Sequence, residues 1–424
     1  MPDTPTPRFA PSGQDLAAKA LINLPALMRT VAAGKGSDLA GLIGRVAANP
    51  DPAAMLMDMS LVCQILGDRD IALAMQTKAL ALQQRYRLPT ASREVAIRLL
   101  AITTPGAIGD NTPLEFLLED SDVALELLYL GPDLPLPPAL STAPPEHDLL
   151  FIAVCESDQN RPLLKQIERL TETWPRPVLN AADKIAGLSR DGASARLKSS
   201  AELIMPTTAR IDRQRLAQIG SGQRALGTVL DDGDFPAIVR PLGSHAGRGL
   251  ARLEGPSAID AYLGTVSEHD FYLARFVDYR DPDGQYRKYR IVLIEGRPFA
   301  CHMAISSNWM IHYLHAGMAE SAAKRAEEEA FMCGFDAGFA RRHEAALKCI
   351  AERFELDYLV IDCAESRDGR LLVFELDNTG FVHAMDPEDV FPYKQVQMRK
   401  VFAAFRTMLA GALERRTKQH LFTK

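Results

Sequence analysis

Near residue 95 the spacing of apolar residues changes, and that change limits the folds open to this chain more than any other feature. Before it, from Asp15 to about Arg87, apolar residues recur three and four apart among much Ala, Leu and Met, which predicts helices. After it, short apolar runs alternate with helix-like stretches, at 96–104 (AIRLLAITT), 123–131 (VALELLYLG), 148–156 (DLLFIAVCE) and 176–180 (RPVLN). Between the last two runs, 160–174 is amphipathic, with Asn160 placed to cap it and Pro162 suited to its first turn. Short apolar strands separated by helices predict a parallel sheet covered on both faces. Pro-rich stretches at 1–14 and 132–147 predict a mobile tail and a surface connection.

From about residue 200 the strands lengthen. The segments 235–242, 271–277, 288–306, 357–365 and 370–377 read as strands, with hairpin chemistry at Glu295-Gly296 and Asp368-Gly369. Two helices interrupt them, Ser321–Phe354, broken near Gly334 or Gly338, and Lys394–Glu414. The second half is therefore mixed α+β with antiparallel sheets. In the first half, Leu66-Gly67 predicts a turn and Ala79-Leu80 lies on the helix after it. That helix hairpin resembles one tetratricopeptide unit. A single copy is a weak sign, because stacked repeats need neighbours to bury their faces.

Composition bears on partners. The chain has 424 residues, enough for two or three domains, and a net charge of −6 with no surplus of cations for a phosphate backbone. Nucleic acid is not an expected partner. The longest apolar stretches, such as Leu149–Cys155, fall far short of the roughly 20 residues a membrane span needs. Six scattered cysteines without C-x-x-C spacing argue against a disulfide framework and a zinc site. The start of the chain has neither a basic region nor an apolar run, so a cytoplasmic protein is expected.

Two segments carry chemistry. In 235–253 (FPAIVRPLGSHAGRGLARL) a strand bearing Arg240 runs into a loop with Gly243, Ser244, Gly247 and Gly249, and a strand resumes at 250–253. Glycines let backbone N–H groups wrap an anion, and the guanidinium adds charge. The loop is neither a Walker A motif nor a dinucleotide fingerprint, since no Gly-Lys-Ser/Thr follows and Arg252 stands at the third Gly position. A plain glycine hairpin explains the same residues. In 356–381 (LDYLVIDCAESRDGRLLVFELDNTGF) a hairpin puts Asp362 on one strand and Glu375 and Asp377 on the other, the last two on one sheet face. Converging carboxylates repel unless a cation is present, and Mg²⁺ with phosphate oxygens is the natural candidate. Asp362 and Glu375 also lie inside apolar runs, where an unpaired carboxylate is costly.

Together with FYLARFVDYRDPDGQYRKYRIVLIEGRPFACH (271–302), these segments resemble the ATP-grasp superfamily in order and spacing, over roughly residues 95–420. The resemblance implies an α/β plus α+β architecture. A helical, tetratricopeptide-like module (1–92) would precede a Rossmann-like pre-domain (93–205) and an ATP-grasp domain of two α+β subdomains (206–424), with a lid subdomain at about 206–272. It implies ATP and Mg²⁺ as cofactors. Arg190 and Arg240 would take the places of two nucleotide-binding lysines, and 243–249 would be the lid. The main chain of Arg275, Phe276 and Val277 would meet adenine, and Asp278 would reach the ribose. Arg290 would hold the γ-phosphate and the acyl phosphate. Asp362, Glu375 and either Asp377 or Asn378 would hold the metal.

Departures from the pattern are Arg for both lysines, Lys288 where Asp is frequent, His302 where Arg is frequent, and Glu375-Leu376-Asp377 for Glu-x-Asn. His302, on a strand beside Arg290, is a candidate catalytic residue, and Asn308, Trp309 and His312 lie where related ligases place a loop near the transferred phosphate. The implied activity is a carboxylate–amine ligase working through an acyl phosphate and releasing ADP and phosphate, on small-molecule or peptide substrates. Rival readings are a non-catalytic nucleotide-binding scaffold that recruits a peptide or protein through its N-terminal helices, and a phosphotransferase on the same fold. Related enzymes are often dimers, and the sequence leaves oligomeric state open.

Overall fold

The computed structural model describes residues 21–32, 36–92, 94–134, 140, 144–244 and 247–422. The tail expected at 1–14 and part of the connection at 132–147 lie outside them. The chain divides into two compact units, one of residues up to 108 with 119–148, the other of 109–118 with 149–424.

In the first unit four helices, α1 (Leu24–Ala32), α2 (Gly36–Ala47), α3 (Pro52–Leu66) and α4 (Arg69–Leu82), precede strands β1 (Arg85–Arg87), β2 (Ile97–Thr103) and β3 (Val123–Tyr129). Asp51 caps α3 by accepting from the Ala53 and Ala54 N–H groups at 2.9 and 3.2 Å, and Pro52 fills the first turn. Gly67 ends α3 with φ 93°, a left-handed cap that favours glycine, so the predicted hairpin turn forms where Leu66-Gly67 places it. Leu27, Leu42, Val46 and Val62 form the core of the helical part. β3 pairs antiparallel with β1 and parallel with β2. The helical pattern expected to about Arg87 thus ends at Leu82, and Arg85–Arg87 is extended because Tyr86 is buried as a strand residue opposite Leu127.

The second unit contains α5 (Leu114–Leu117), β4 (Leu149–Ile152), α6 (Arg161–Thr171), β5 (Val178–Leu179), α7 (Ala182–Ile185), α8 (Arg190–Leu197) and β6 (Leu203–Ile204). β4 and β5 are parallel, as the apolar runs predict. Asn160 does not cap α6. Its amide donates instead to the Cys155 carbonyl at 3.3 Å, while Pro162 does sit in the first turn. Asn180, at φ 50°, turns its side-chain amide onto Tyr358, accepting from its N–H at 2.8 Å and donating to its carbonyl at 3.0 Å.

Two sheets follow. The first joins β7 (Thr208–Asp212), β8 (Ala237–Pro241), β9 (Ala251–Leu253) and β10 (Asp270–Arg275) in the antiparallel order β7-β10-β8-β9. Helices α9 (Arg213–Gly220) and α10 (Ser257–Leu263) bury Leu216, Ile219 and Ile259 in its core. The second joins β11 (Tyr286–Ile294), β12 (Arg297–Ser306), β13 (Tyr358–Glu365) and β14 (Leu371–Asp377) in the order β12-β11-β13-β14-β6, antiparallel except for β6. Glu295 and Gly296, at φ 48° and 76°, make the two-residue turn between β11 and β12. The long helical stretch breaks as expected, into α11 (Ala322–Cys333) and α12 (Glu344–Phe354) around a π turn at Asp336–Ala340, and α13 (Pro392–Phe422) completes the unit. The architecture is α/β followed by α+β, with helices leading.

Candidate active site

The site is built on one face of the β12-β11-β13-β14 sheet. Strand register sets His302 opposite Arg290, Arg290 opposite Asp362, and Asp362 opposite Glu375, so four polar residues form one row across four strands. Directly opposed residues share a sheet face. Lys288 and Asp377 lie two residues from Arg290 and Glu375, on that same face. The β11–β12 register shifts beside Arg290 and the β13–β14 register shifts beside Asp362, and such bulges re-aim side chains without ending the sheet. Tyr289, on the opposite face, packs on Phe331 and Phe339.

Arg290 grips Asp362 with two parallel bonds, Nε to Oδ1 at 2.8 Å and Nη2 to Oδ2 at 3.0 Å, and its Nη1 donates to the Phe381 carbonyl at 3.1 Å. Lys288 Nζ adds a second cation on Asp362 Oδ2 at 2.7 Å. Burial works against the Asp362 charge, but Arg290 and Lys288 outweigh it and hold the carboxyl far below the usual range. At the end of the row the Arg190 guanidinium, at the start of α8, pairs with Glu375. Burial again opposes the charge, and Arg190 with Arg240 keeps the Glu375 carboxyl low. Asp377 differs. Burial and the neighbouring Glu375 raise it, against the Thr379 N–H and Oγ1, which donate to its Oδ1 at 2.7 and 2.9 Å.

The glycine loop joins β8 to β9. Arg240 is buried on β8, and its guanidinium bonds Ser244 at Oγ (3.2 Å) and at the carbonyl. Burial, then the nearby Arg190, pushes its pKa down to about 10. Gly243, Gly247 and Gly249 all have positive φ. At Gly249 a Cβ would also meet Pro241 at 2.7 Å, so glycine is required there twice over. The loop's His245 and Ala246 lie outside the described residues.

The hinge expectations fare unevenly. Arg275 ends β10 exposed, opposite Ala237, and Val277 is half-buried. The Phe276 N–H donates to the Pro236 carbonyl at 2.9 Å. Its ring lies between the Arg252 guanidinium, 4.2 Å from the centroid, and Trp309, 5.6 Å away. Asp278 accepts from Arg367 Nη2 at 2.8 Å and from the Arg280 N–H at 3.1 Å.

His302 is flanked by cations, and its ring stacks near Tyr313, centroids 4.5 Å apart. The Tyr313 hydroxyl contacts Glu328 at 3.2 Å and Lys394, and Glu328 also accepts from the Met303 N–H (3.0 Å) and Tyr393 (2.6 Å). This buried network was missed by sequence reasoning, because its members lie in separate helices and loops. Lys288 entered only as a departure from the family pattern, and its place two residues from Arg290 on one strand, hence on the same face, could have marked it as a cation of the site.

Burial, then Arg290 and Lys394, lowers the His302 pKa well below its usual value, so the folded ring stays neutral. The unfolded chain then binds a proton that the native state refuses below about pH 6.5, and stability contributed by His302 is full above that value and lost as pH falls. Comparing urea unfolding at about pH 7.5 and about pH 5.5, His302→Gln should remove a dependence of up to about 1.4 kcal/mol per pH unit. An unchanged difference between the two pH values would show the ring titrating freely.

The residues do not fit the magnesium ion that the resemblance implies. Among the described residues no group of three His, Cys, Asp or Glu side chains is arranged to hold a metal. Both Asp362 oxygens are taken by Arg290 and Lys288, and one Glu375 oxygen is taken by Arg190. The expected ligand set of Asp362, Glu375 and Asp377 is thus a set of ion-paired or capped carboxylates.

No protein-family profile matches the sequence, and no curated relative matches it. Among solved structures, a D-alanine–D-alanine ligase from Bacillus anthracis complexed with ATP is similar at 12% identity, with 77% of this chain and 100% of that one covered and a TM-score of 0.44. A D-alanine–D-alanine ligase from Coxiella burnetii gives 10% identity, 77% and 98% coverage and a TM-score of 0.47. A RimK domain ATP-grasp protein from Sphaerobacter thermophilus gives 16%, 74% and 99%, and 0.41. At this depth of likeness, function has to be argued from this chain's own residues.

Proposed function

We propose that this chain is an ATP-dependent ligase that joins a carboxylate to an amine and releases ADP and phosphate. The observation that carries the reading is the polar row His302–Arg290–Asp362–Glu375, with Arg190 and Arg240 converging on its Glu375 end beside a glycine loop. Buried cations around a sheet face are suited to a polyphosphate, and a loop of positive-φ glycines can bring N–H groups to it.

In the proposed reaction a carboxylate oxygen of the acceptor attacks the γ-phosphorus, the bond to the β–γ bridging oxygen breaks, and ADP leaves. The amine then attacks the acyl carbon and phosphate departs. Arg290 carries donors toward the charge that grows on the transferred group, an electrostatic role that needs no reorganisation. His302, held neutral beside Arg290, can accept a hydrogen bond from the incoming amine and orient it, while the amine's proton leaves with the departing phosphate. The glycine loop would exclude water that otherwise hydrolyses the acyl phosphate. No step here is routed through a metal ion.

The test is to supply ATP with pools of amino acids, short peptides and dicarboxylates labelled with ¹⁸O in the carboxylate. The expected products are ADP and phosphate that has gained one labelled oxygen. AMP and pyrophosphate, or phosphate retained on the acceptor, would rule the ligase reading out. Arg240→Met should weaken ATP binding by about 10- to 100-fold in calorimetry, the value of a charge-assisted contact. Binding unchanged in that variant would remove Arg240 and its loop from the nucleotide site.

The helix hairpin α3–α4 gives some support to the scaffold reading, since it exposes Leu66, Ile71 and Leu82. Turnover of ATP without any protein partner would count against it.

A further inference from the structure

The mismatch between these carboxylates and a divalent ion has a chemical meaning of its own. Four cations, Arg190, Arg240, Lys288 and Arg290, stand among three carboxylates, Asp362, Glu375 and Asp377. Asp362 is the centre of the imbalance. It receives three donors from two cations on its two oxygens, one more cation than its charge requires. Glu375 has Arg190 in contact and Arg240 within electrostatic reach. Asp377 accepts on its Oδ1 from the Thr379 N–H and Oγ1 at 2.7 and 2.9 Å. A divalent ion using Asp362 would have to displace Lys288 and Arg290 from its oxygens, and would then face both cations at close range. A polyphosphate meets the reverse situation, because moving the surplus cation from Asp362 onto a phosphate oxygen leaves Asp362 still paired by Arg290.

We infer that this site takes the polyphosphate of a nucleotide without a bound divalent metal, with the Lys288 ammonium supplying, from the protein, charge that a metal would otherwise bring. The inference rests on the proposed nucleotide site and adds the way in which its charge is balanced. Lys288 is suited to the role as a compact point charge on a flexible stem that can follow an oxygen as it moves.

The experiment is calorimetry of ADP and of a non-hydrolysable ATP analogue with the full chain, in EDTA and in excess Mg²⁺. Wild-type affinities should differ by less than about threefold between the two conditions. Lys288→Met should weaken binding in EDTA by about tenfold or more, while Lys288→Arg, which keeps the charge, should retain most of it. Wild-type binding that weakens by about 100-fold or more in EDTA would overturn the inference and leave the nucleotide site standing. Binding absent in both conditions would instead sink the nucleotide site itself, and this inference with it. Circular dichroism of the Lys288 variants separates a folding defect from a binding one, and the wild-type comparison needs no variant.

Discussion

Lys394→Met should be among the most damaging single changes in this chain, lowering stability by about 3 kcal/mol, because it removes one partner of a buried ion pair and leaves the other charged. Lys394 and Glu328 are 2% and 0% exposed, with Nζ and Oε1 3.3 Å apart. The Lys394 ammonium also reaches Asp386 Oδ2 at 3.1 Å and lies 4.2 Å from the Tyr313 ring centroid. Burial already raises the Glu328 pKa against the pull of Lys394, so without the lysine its carboxyl would take up a proton closer to neutrality. Three donors, from Met303, Tyr313 and Tyr393, remain on Glu328, which keeps the loss at the lower end of the range for broken buried pairs. The double variant Lys394→Met with Glu328→Gln should recover most of the loss in urea unfolding. A single-variant cost below about 1 kcal/mol would show the pair to be no better than a surface contact.

Arg290→Met should lower the rate of ATP-dependent ADP release by about 100- to 1,000-fold, the size seen when a preorganised donor to developing charge is removed. ADP affinity should change little, since ADP lacks the group that Arg290 faces in the proposed reaction. Folding should also suffer less than in Lys394→Met, because Asp362 keeps Lys288 at 2.7 Å. This separation of rate from binding and stability distinguishes a group acting on the transferred phosphate from one that only holds the sheet. Loss of ADP affinity in step with rate would assign Arg290 to nucleotide binding or to folding.

Asp362 and Glu375 were legible in the sequence because each is a charge inside an apolar strand, where alternation fixes the face and burial demands a partner, whereas Arg290 came only from the resemblance to a family. What alternation could not reveal was the partner. The sequence suggested a metal, whereas Lys288 and Arg190 supply cations from another strand and from a helix start. The hairpin turns at Gly67 and at Glu295-Gly296 were readable from local backbone chemistry. Strand β7 was not, since Thr208–Asp212 has one buried residue, Ile211, and little apolar pattern. Asn160 shows the limit of local rules: a residue of capping type found a better use for its amide at Cys155.

Asn180 has an effect on the order in which the second unit can be completed. Tyr358 obtains two backbone hydrogen bonds from a side chain 178 positions earlier, where a strand neighbour would ordinarily provide them. The same segment is fastened again by the Asn180 N–H on Asp357 Oδ2 at 2.8 Å. Bonds that close so long a loop cannot form during local hairpin zipping; they need the segment around β5 docked against strand β13. The Tyr358 amide is therefore a clock for that docking. Its shielding from solvent exchange begins when the early part of the unit joins the late part, and it ends at the first opening that separates them.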